Sequence, residues 1–184
     1  MLIALTGTPG TGKTTVAHLL KKKGITTCSL NDLALSHHFT QGIDVKRGSY
    51  ILDIEKINEY INNEYGVTTA PILFEGHTSH WLTMVAWVII LRCHPKILRQ
   101  RLETKRWNQG KIQENVEAEI LDIILCEATE IHHSHHLLEI DTTSQTPPSI
   151  ANIILSQIHT GFSNISDYCI GRVDWSEEIL KDPE

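Results

Sequence analysis

Apolar and polar positions along the chain fall into two regimes. Short, nearly continuous apolar runs at 2–6, 72–75, 86–91 and 137–140 alternate with stretches in which apolar residues recur every three or four positions. Runs of that length predict strands covered on both faces, and the periodic stretches predict helices that cross over them. Residues 2–6 read as the first strand and 13–23 as a helix. A short strand at 26–29 leads into a helix beginning at Asn31 or Asp32. Asp53 stands where it can cap a helix that carries Ile54, Ile57 and Ile61 at helical spacing. Pro95 opens a helix with Leu98 and Leu102 on one face, residues 115–131 form one long helical pattern, and Pro147 and Pro148 open the last core helix. Five strands with interleaved helices imply a three-layer α/β fold, a five-stranded parallel sheet flanked by helices.

Composition narrows this picture only at its edges. The 184 residues suit one domain, read as a core over 1–160 and a C-terminal tail over 161–184 that packs on the core or faces a partner. A formal charge of −6 argues against a generally basic nucleic-acid binder, so no direct sequence-specific nucleic-acid contact is expected. No stretch approaches the roughly 20 apolar residues that span a bilayer, and the apolar start runs straight into a glycine loop, as a buried strand does and a signal peptide does not. Cys28, Cys93, Cys126 and Cys169 are scattered, a pattern of reduced thiols that points to the cytoplasm.

The chemistry is concentrated at Gly7-Thr8-Pro9-Gly10-Thr11-Gly12-Lys13-Thr14, which matches G-x-x-x-x-G-K-[ST] in full. It follows a buried strand and opens a helix, the setting in which main-chain N–H groups turn inward around phosphate oxygens. This predicts a P-loop NTPase fold that binds ATP with Mg²⁺. Lys13 would reach the β- and γ-phosphates, the Thr14 hydroxyl would coordinate the metal, and Thr15 would add an α-phosphate contact, with Gly10 and Gly12 shaping the cradle.

Two further segments fall at predicted strand ends. Glu75 closes the third strand, where a carboxylate can hold Mg²⁺ or orient a nucleophile; capping a neighbouring helix is its structural alternative. His77 follows, suited to positioning a proton or to a plain loop hydrogen bond, whereas His80 has nothing comparable in its favour. Arg92, Arg99, Arg101, Lys105, Arg106 and Lys111 then crowd a short stretch, either as charge-neutralising groups at the mouth of the site or as a solvated helix face. The polar stretch Glu103 to Gln113, which carries Gly110, can close over the nucleotide as a lid, with Trp107 as its anchor or as a stacking surface.

Together, LTGTPGTGKTT, Asn31-Asp32-Leu33-Ala34, Ile51-Leu52-Asp53, EGH, LETKRWNQGKIQENVEAEI and GRVDWSE resemble adenylate kinase isoenzyme six and its archaeal relatives over nearly the whole chain. The resemblance implies a short-lid nucleoside monophosphate kinase that converts ATP and AMP to two ADP, tolerates other nucleotides and hydrolyses ATP. It also implies a link to maturation of the small ribosomal subunit through a platform ribosomal protein. By position, 30–53 would form the monophosphate-binding region and 105–115 the lid. Gly10, Gly12, Lys13, Thr14, Thr15, Lys105 and Arg106 would hold ATP, while Asp32, Asp53 and Arg92 would serve the acceptor. Lys13, Glu75, His77 and Arg106 would act in catalysis, and Thr14 and Glu75 at the metal. Glu75 stands where the family has aspartate, Leu35 and Lys105 where it has arginine.

Two other readings stay beside this one: an assembly ATPase whose nucleotide state gates a ribosomal protein, and a kinase for a small metabolite such as shikimate or gluconate. The run of histidines from His132 to His136 has no accompanying cysteine or acidic set, and adventitious metal binding is the most expected of it.

Overall fold

The computed structural model describes residues 1–45 and 48–179. Five strands form one parallel sheet: β1 (Leu2–Thr6), β2 (Thr26–Ser29), β5 (Ile72–Glu75), β6 (Trp87–Arg92) and β7 (Leu137–Asp141), in the order β2-β5-β1-β6-β7. A separate two-stranded antiparallel hairpin is formed by β3 (Thr40–Asp44) and β4 (Ser49–Leu52). The helices are α1 (Lys13–Lys22), α2 (Leu30–Ser36), α3 (Ile54–Tyr65), α4 (Pro95–Glu103), α5 (Gln109–Ile120), α6 (Ile123–Ile131), α7 (Pro147–His159) and α8 (Ser176–Ile179).

The apolar runs are strands because both sheet faces are covered. On one face Ile3, Leu5, Leu73, Ile89 and Leu91 meet Val16 and Leu20 of α1 and Ile150 and Ile154 of α7. On the other, Leu2, Ala4, Phe74, Val88 and Ile90 meet Leu30, Leu33, Ile57, Ile61 and Ala128. Every residue of β1 is consequently buried. Cys93, Leu98, Leu102, Ile112 and Val116 form a smaller cluster between α4 and α5. This is the three-layer arrangement that the periodicity predicts.

The sequence order of the strands reverses direction across β1, which lies between β5 and β6. Such a switch point opens a crevice at the carboxyl ends of the strands. Parallel register sets Leu5 beside Glu75 and Thr6 beside Ile90, so the loop leaving β1 emerges next to Glu75.

One expectation needs correction. The single helix expected over 115–131 is two helices, α5 beginning earlier at Gln109 and α6 following a break at Asp122. Asp122 sits in the left-handed region at φ 53, a conformation aspartate tolerates, and its carboxylate is drawn to Arg92. The hairpin within 30–53 carries little alternation to read, since its side chains are mostly exposed or half-buried. The tail lies against the core: Cys169 bridges to Leu138, the Gly171 amide donates to Glu139 Oε2 at 2.6 Å, and the Trp175 ring meets His94 edge-on at 5.0 Å. Residues 180–184 of that tail lie outside the described residues.

Candidate functional site

The loop between β1 and α1 is shaped by glycines that no other residue replaces freely. Gly7, Gly10 and Gly12 have φ values of 135, 102 and 104°, in the left-handed half of backbone space. At Gly7 the backbone also approaches β6 closely: a Cβ there would stand 2.3 Å from the Leu91 carbonyl oxygen. A Cβ on Gly10 would run into Leu98 and Leu102 of α4 at 2.7 and 2.9 Å.

Lys13, the first residue of α1, is buried and curls back over this loop. Its Nζ donates to the Gly7 carbonyl at 2.6 Å and to the Thr8 carbonyl at 3.1 Å. Burial lowers its pKa to about 8, partly opposed by the nearby Glu75 carboxylate and reinforced by Lys105. Thr14 Oγ1 lies 3.3 and 3.5 Å from the two carboxylate oxygens of Glu75. Burial raises the Glu75 pKa, against the pull of Lys13 and the Thr14 hydrogen bond. A hydroxyl and a carboxylate converging beside a phosphate cradle are hard oxygen donors of the kind Mg²⁺ takes, with water and phosphate oxygens completing its shell. These residues therefore fit the metal.

Loop residues 76–79 are pinned to the end of β1. The Gly76 amide donates to the Leu5 carbonyl at 3.2 Å, and Ser79 Oγ donates to the same carbonyl at 2.9 Å. This presents His77 at an exposed position, while His80 turns inward to Thr6 Oγ1 at 3.0 Å and Glu127 Oε2 at 2.9 Å.

A cavity of about 700 Å³ opens over the loop, within the range of small-molecule sites. Its wall includes Gly10, Gly12, Lys13, Thr14, Thr15, Glu75, His77 and Lys105, so most of the expected site residues come together. Ser29 and Asn31, which the sequence does not mark as individual ligands, join them, as does Arg101 of the basic stretch. Arg101 is fixed by the carbonyl and hydroxyl of Thr142, at 2.7 and 3.1 Å.

Four expected residues are placed elsewhere. Arg92 is buried beneath the site, with its guanidinium engaged by Glu119, Asp122 and Glu139, which corrects its expected contact with the acceptor. Asp53 caps α3 by accepting from the Lys56 amide at 3.2 Å, and its ion pair with Lys56 competes with any acceptor role. Asp32 lies exposed in the first turn of α2; Asn31 beside it reaches the wall. Arg106 is exposed in the left-handed turn after α4, at φ 55, while Lys105 faces the cavity. The expected lid at 105–115 is largely the start of α5, where Lys111 Nζ lies 4.3 Å from the Trp107 ring centre. No group of histidine, cysteine, aspartate and glutamate suited to a metal ion occurs among the described residues, the histidine run included. No helix among them is long and apolar enough to cross a membrane.

A glycine cradle at the sheet's switch point, a lysine folded over it and a threonine–carboxylate pair beside it define a P-loop protein of the kinase type. The model of a family described as AAA domain matches residues 3–122. Over 180 residues the chain is 40% identical to a protein of Methanothermobacter thermautotrophicus named "Putative adenylate kinase", covering 97% of this chain and 99% of that one. A Pyrococcus furiosus protein of the same name is 39% identical over 185 residues, covering 98% and 96%. The chain belongs to this adenylate kinase family, the archaeal relatives of isoenzyme six. Its fold is shared by shikimate kinase from Acinetobacter baumannii, at a TM-score of 0.59 and 20% identity over 89% of this chain and 95% of that one. Aquifex aeolicus shikimate kinase aligns at 0.52 and 14% identity, covering 89% and 100%.

Proposed function

We propose that the chain is a cytoplasmic nucleoside monophosphate kinase that moves the γ-phosphoryl group of ATP to AMP, giving two ADP, and that hydrolyses ATP when water takes the acceptor's place. One observation carries this reading: Lys13, Thr14, Glu75 and His77 line a single cavity. The main-chain amides of the loop would hold the triphosphate. Lys13, released from the Gly7 and Thr8 carbonyls, would neutralise charge on the β- and γ-phosphates. Thr14 and Glu75 would hold Mg²⁺, which would supply further neutralisation of phosphate charge. His77 lines the same cavity as Ser29 and Asn31 and would there position the attacking hydroxyl or phosphate oxygen. Phosphoryl transfer requires alignment and electrostatic support more than covalent help, and these residues suit both.

A second reading has its own support. Among the described residues the lysines and arginines on the wall are Lys13, Arg101 and Lys105, and the position at which an arginine was expected is the exposed Leu35. Among the described residues an acceptor phosphate thus finds few fixed cations, which favours water as acceptor and an ATPase that gates a small-subunit ribosomal protein. A coupled assay with AMP, CMP, dAMP and water as acceptors separates the two. Rapid AMP-dependent ADP formation is expected; slow hydrolysis that AMP leaves unchanged and a platform ribosomal protein stimulates would overturn the kinase reading.

A further inference from the structure

Glu119 lies near the end of α5 and is almost wholly buried, with 2% of its surface exposed. Both of its oxygens are occupied. Oε1 accepts from Arg92 Nε at 2.8 Å, from the Cys93 amide at 3.0 Å and from Trp175 Nε1 at 3.3 Å. Oε2 accepts from the hydroxyl of Thr8, the second residue of the phosphate loop. The Thr8 carbonyl in turn accepts from Lys13 Nζ at 3.1 Å, from the Thr11 amide at 3.2 Å and from the Thr11 hydroxyl at 2.9 Å. One residue therefore separates the Glu119 carboxylate from the lysine over the cradle.

We propose that Glu119 is a positioning residue for the phosphate loop, and that through it the C-terminal segment docked by Trp175 is coupled to nucleotide binding. The reasoning follows from what such a loop needs. Its amides must stay available to phosphate oxygens, so they cannot also be tied into a ladder of backbone bonds, and three glycines of positive φ leave it little intrinsic stiffness. Rigidity has to come from side chains that reach outward. The Thr8 hydroxyl does so, and an ionised acceptor makes its bond a strong one. The same carboxylate is held from the far side by the tail's indole N–H. Helix α5 itself starts at the segment read as a lid, so movement of that segment or of the tail acts on Glu119 and thence on Thr8. By linkage, whatever the docked tail contributes to nucleotide affinity, nucleotide returns to tail docking.

The proposal rests on MgATP binding at the loop, and the test keeps the two apart. MgATP titration calorimetry is run on the parent, Thr8→Val, Glu119→Gln and the double variant. Arg92 keeps Asp122 and Glu139 as partners in Glu119→Gln, so no buried cation is stranded. Each single change is expected to weaken MgATP about tenfold, the scale of one hydrogen bond to a charged group. The double variant is expected to lose less than the two single losses combined, because both act on the same Thr8–Glu119 contact. Trp175→Phe retains the ring against His94, removes the N–H donor, and is expected to weaken MgATP by a smaller factor of about three. Tryptic cleavage after Arg172, exposed between the core and Trp175, is expected to slow on adding MgATP to the parent and to be indifferent to it in Glu119→Gln. Should Glu119→Gln fail to fold, Thr8→Val and Trp175→Phe decide the matter by the same two readouts. Unchanged affinities in variants of a parent that binds MgATP overturn this proposal alone, as do additive losses. A folded parent that takes up no MgATP overturns the proposed function, and this inference with it.

Discussion

Lys13 Nζ lies 2.6 Å from the carbonyl oxygen of Gly7, so the lysine closes over the loop from which it springs. The contact occupies the ammonium with neutral acceptors while burial lowers its pKa to about 8. Polyanionic phosphates would favour the protonated form far more than two carbonyls do.

The consequence for pH has a definite sign. Between about 8 and the ordinary value of 10.5 the unfolded chain holds more protons at this residue than the fold does. The ligand-free protein should therefore gain stability from Lys13 as pH rises through that window. MgATP binding has the opposite trend: it should take up a proton near pH 8 and above, and weaken as the lysine is neutralised. Calorimetry in two buffers of different ionisation enthalpy measures this uptake. Identical heats in both at pH 8.5, with Lys13→Ala behaving as the parent, would count against the lysine as the phosphate contact.

The 3.3 Å separation of Thr14 Oγ1 and Glu75 gives a second expectation, for the metal. Glu75→Gln preserves the shape and removes the charge, and Thr14→Val removes the hydroxyl. Each should raise the Mg²⁺ concentration for half-maximal ATP turnover by about tenfold, the lower end of what altered metal-site partners cost. ATP binding in the presence of chelator should be unaffected or tighter in Glu75→Gln, since a negative charge beside the phosphates is gone. A parent-like Mg²⁺ dependence in both variants would remove these residues from the metal site.

Glycines in one loop should differ in cost. Alanine at Gly7 combines φ of 135° with a Cβ 2.3 Å from the Leu91 carbonyl, a backbone atom of the central sheet that cannot swing away. Alanine at Gly12 meets nothing within 4 Å and carries only the strain of φ 104°. Thermal unfolding should show a loss of roughly 1–3 kcal/mol for Gly12→Ala from strain, and roughly 1–3 kcal/mol more for Gly7→Ala from forced overpacking. Equal losses would mean that the close approach to β6 is relaxed at little cost.

What the sequence disclosed and concealed follows from how local each signal is. Strands β1, β5, β6 and β7 were legible because both faces of the sheet are covered there, which leaves unbroken apolar runs; the edge strand β2, Thr26–Ser29, is only partly buried and carries no such run. The loop was legible because its glycines, lysine and threonine are adjacent in the chain. Arg92 misled because a strand-end arginine near a phosphate loop looks alike whether it faces the crevice or, as here, turns beneath it to three carboxylates on α5, the following break and β7. Glu119 was hidden for the same reason: within a polar helical pattern, nothing local marks the glutamate that folding buries. The pattern over 115–131 ran on smoothly through Asp122, and the break there coincides with a tertiary contact, the ion pair of Asp122 with Arg92.

His77 and His80, three positions apart, should respond oppositely to removal. His77 is exposed at the cavity, whereas His80 is 1% exposed and bridges Thr6 and Glu127. His77→Ala should lower ATP hydrolysis more than it weakens MgATP binding and should leave the melting temperature near that of the parent. His80→Ala leaves polar groups of Thr6 and Glu127 without their partner and should cost roughly 1–3 kcal/mol of stability. Burial holds the His80 pKa below the ordinary 6.5, despite the pull of Glu127 the other way and with His132 and Lys13 adding to the depression. Below that value the unfolded chain takes up the proton first, so acid erodes the parent's stability through this residue. The His80 variant should lose part of that acid sensitivity along with its overall stability. Denaturant midpoints between pH 5 and 7 test the claim: parallel pH profiles for parent and His80→Ala would show that the buried imidazole is not what titrates there.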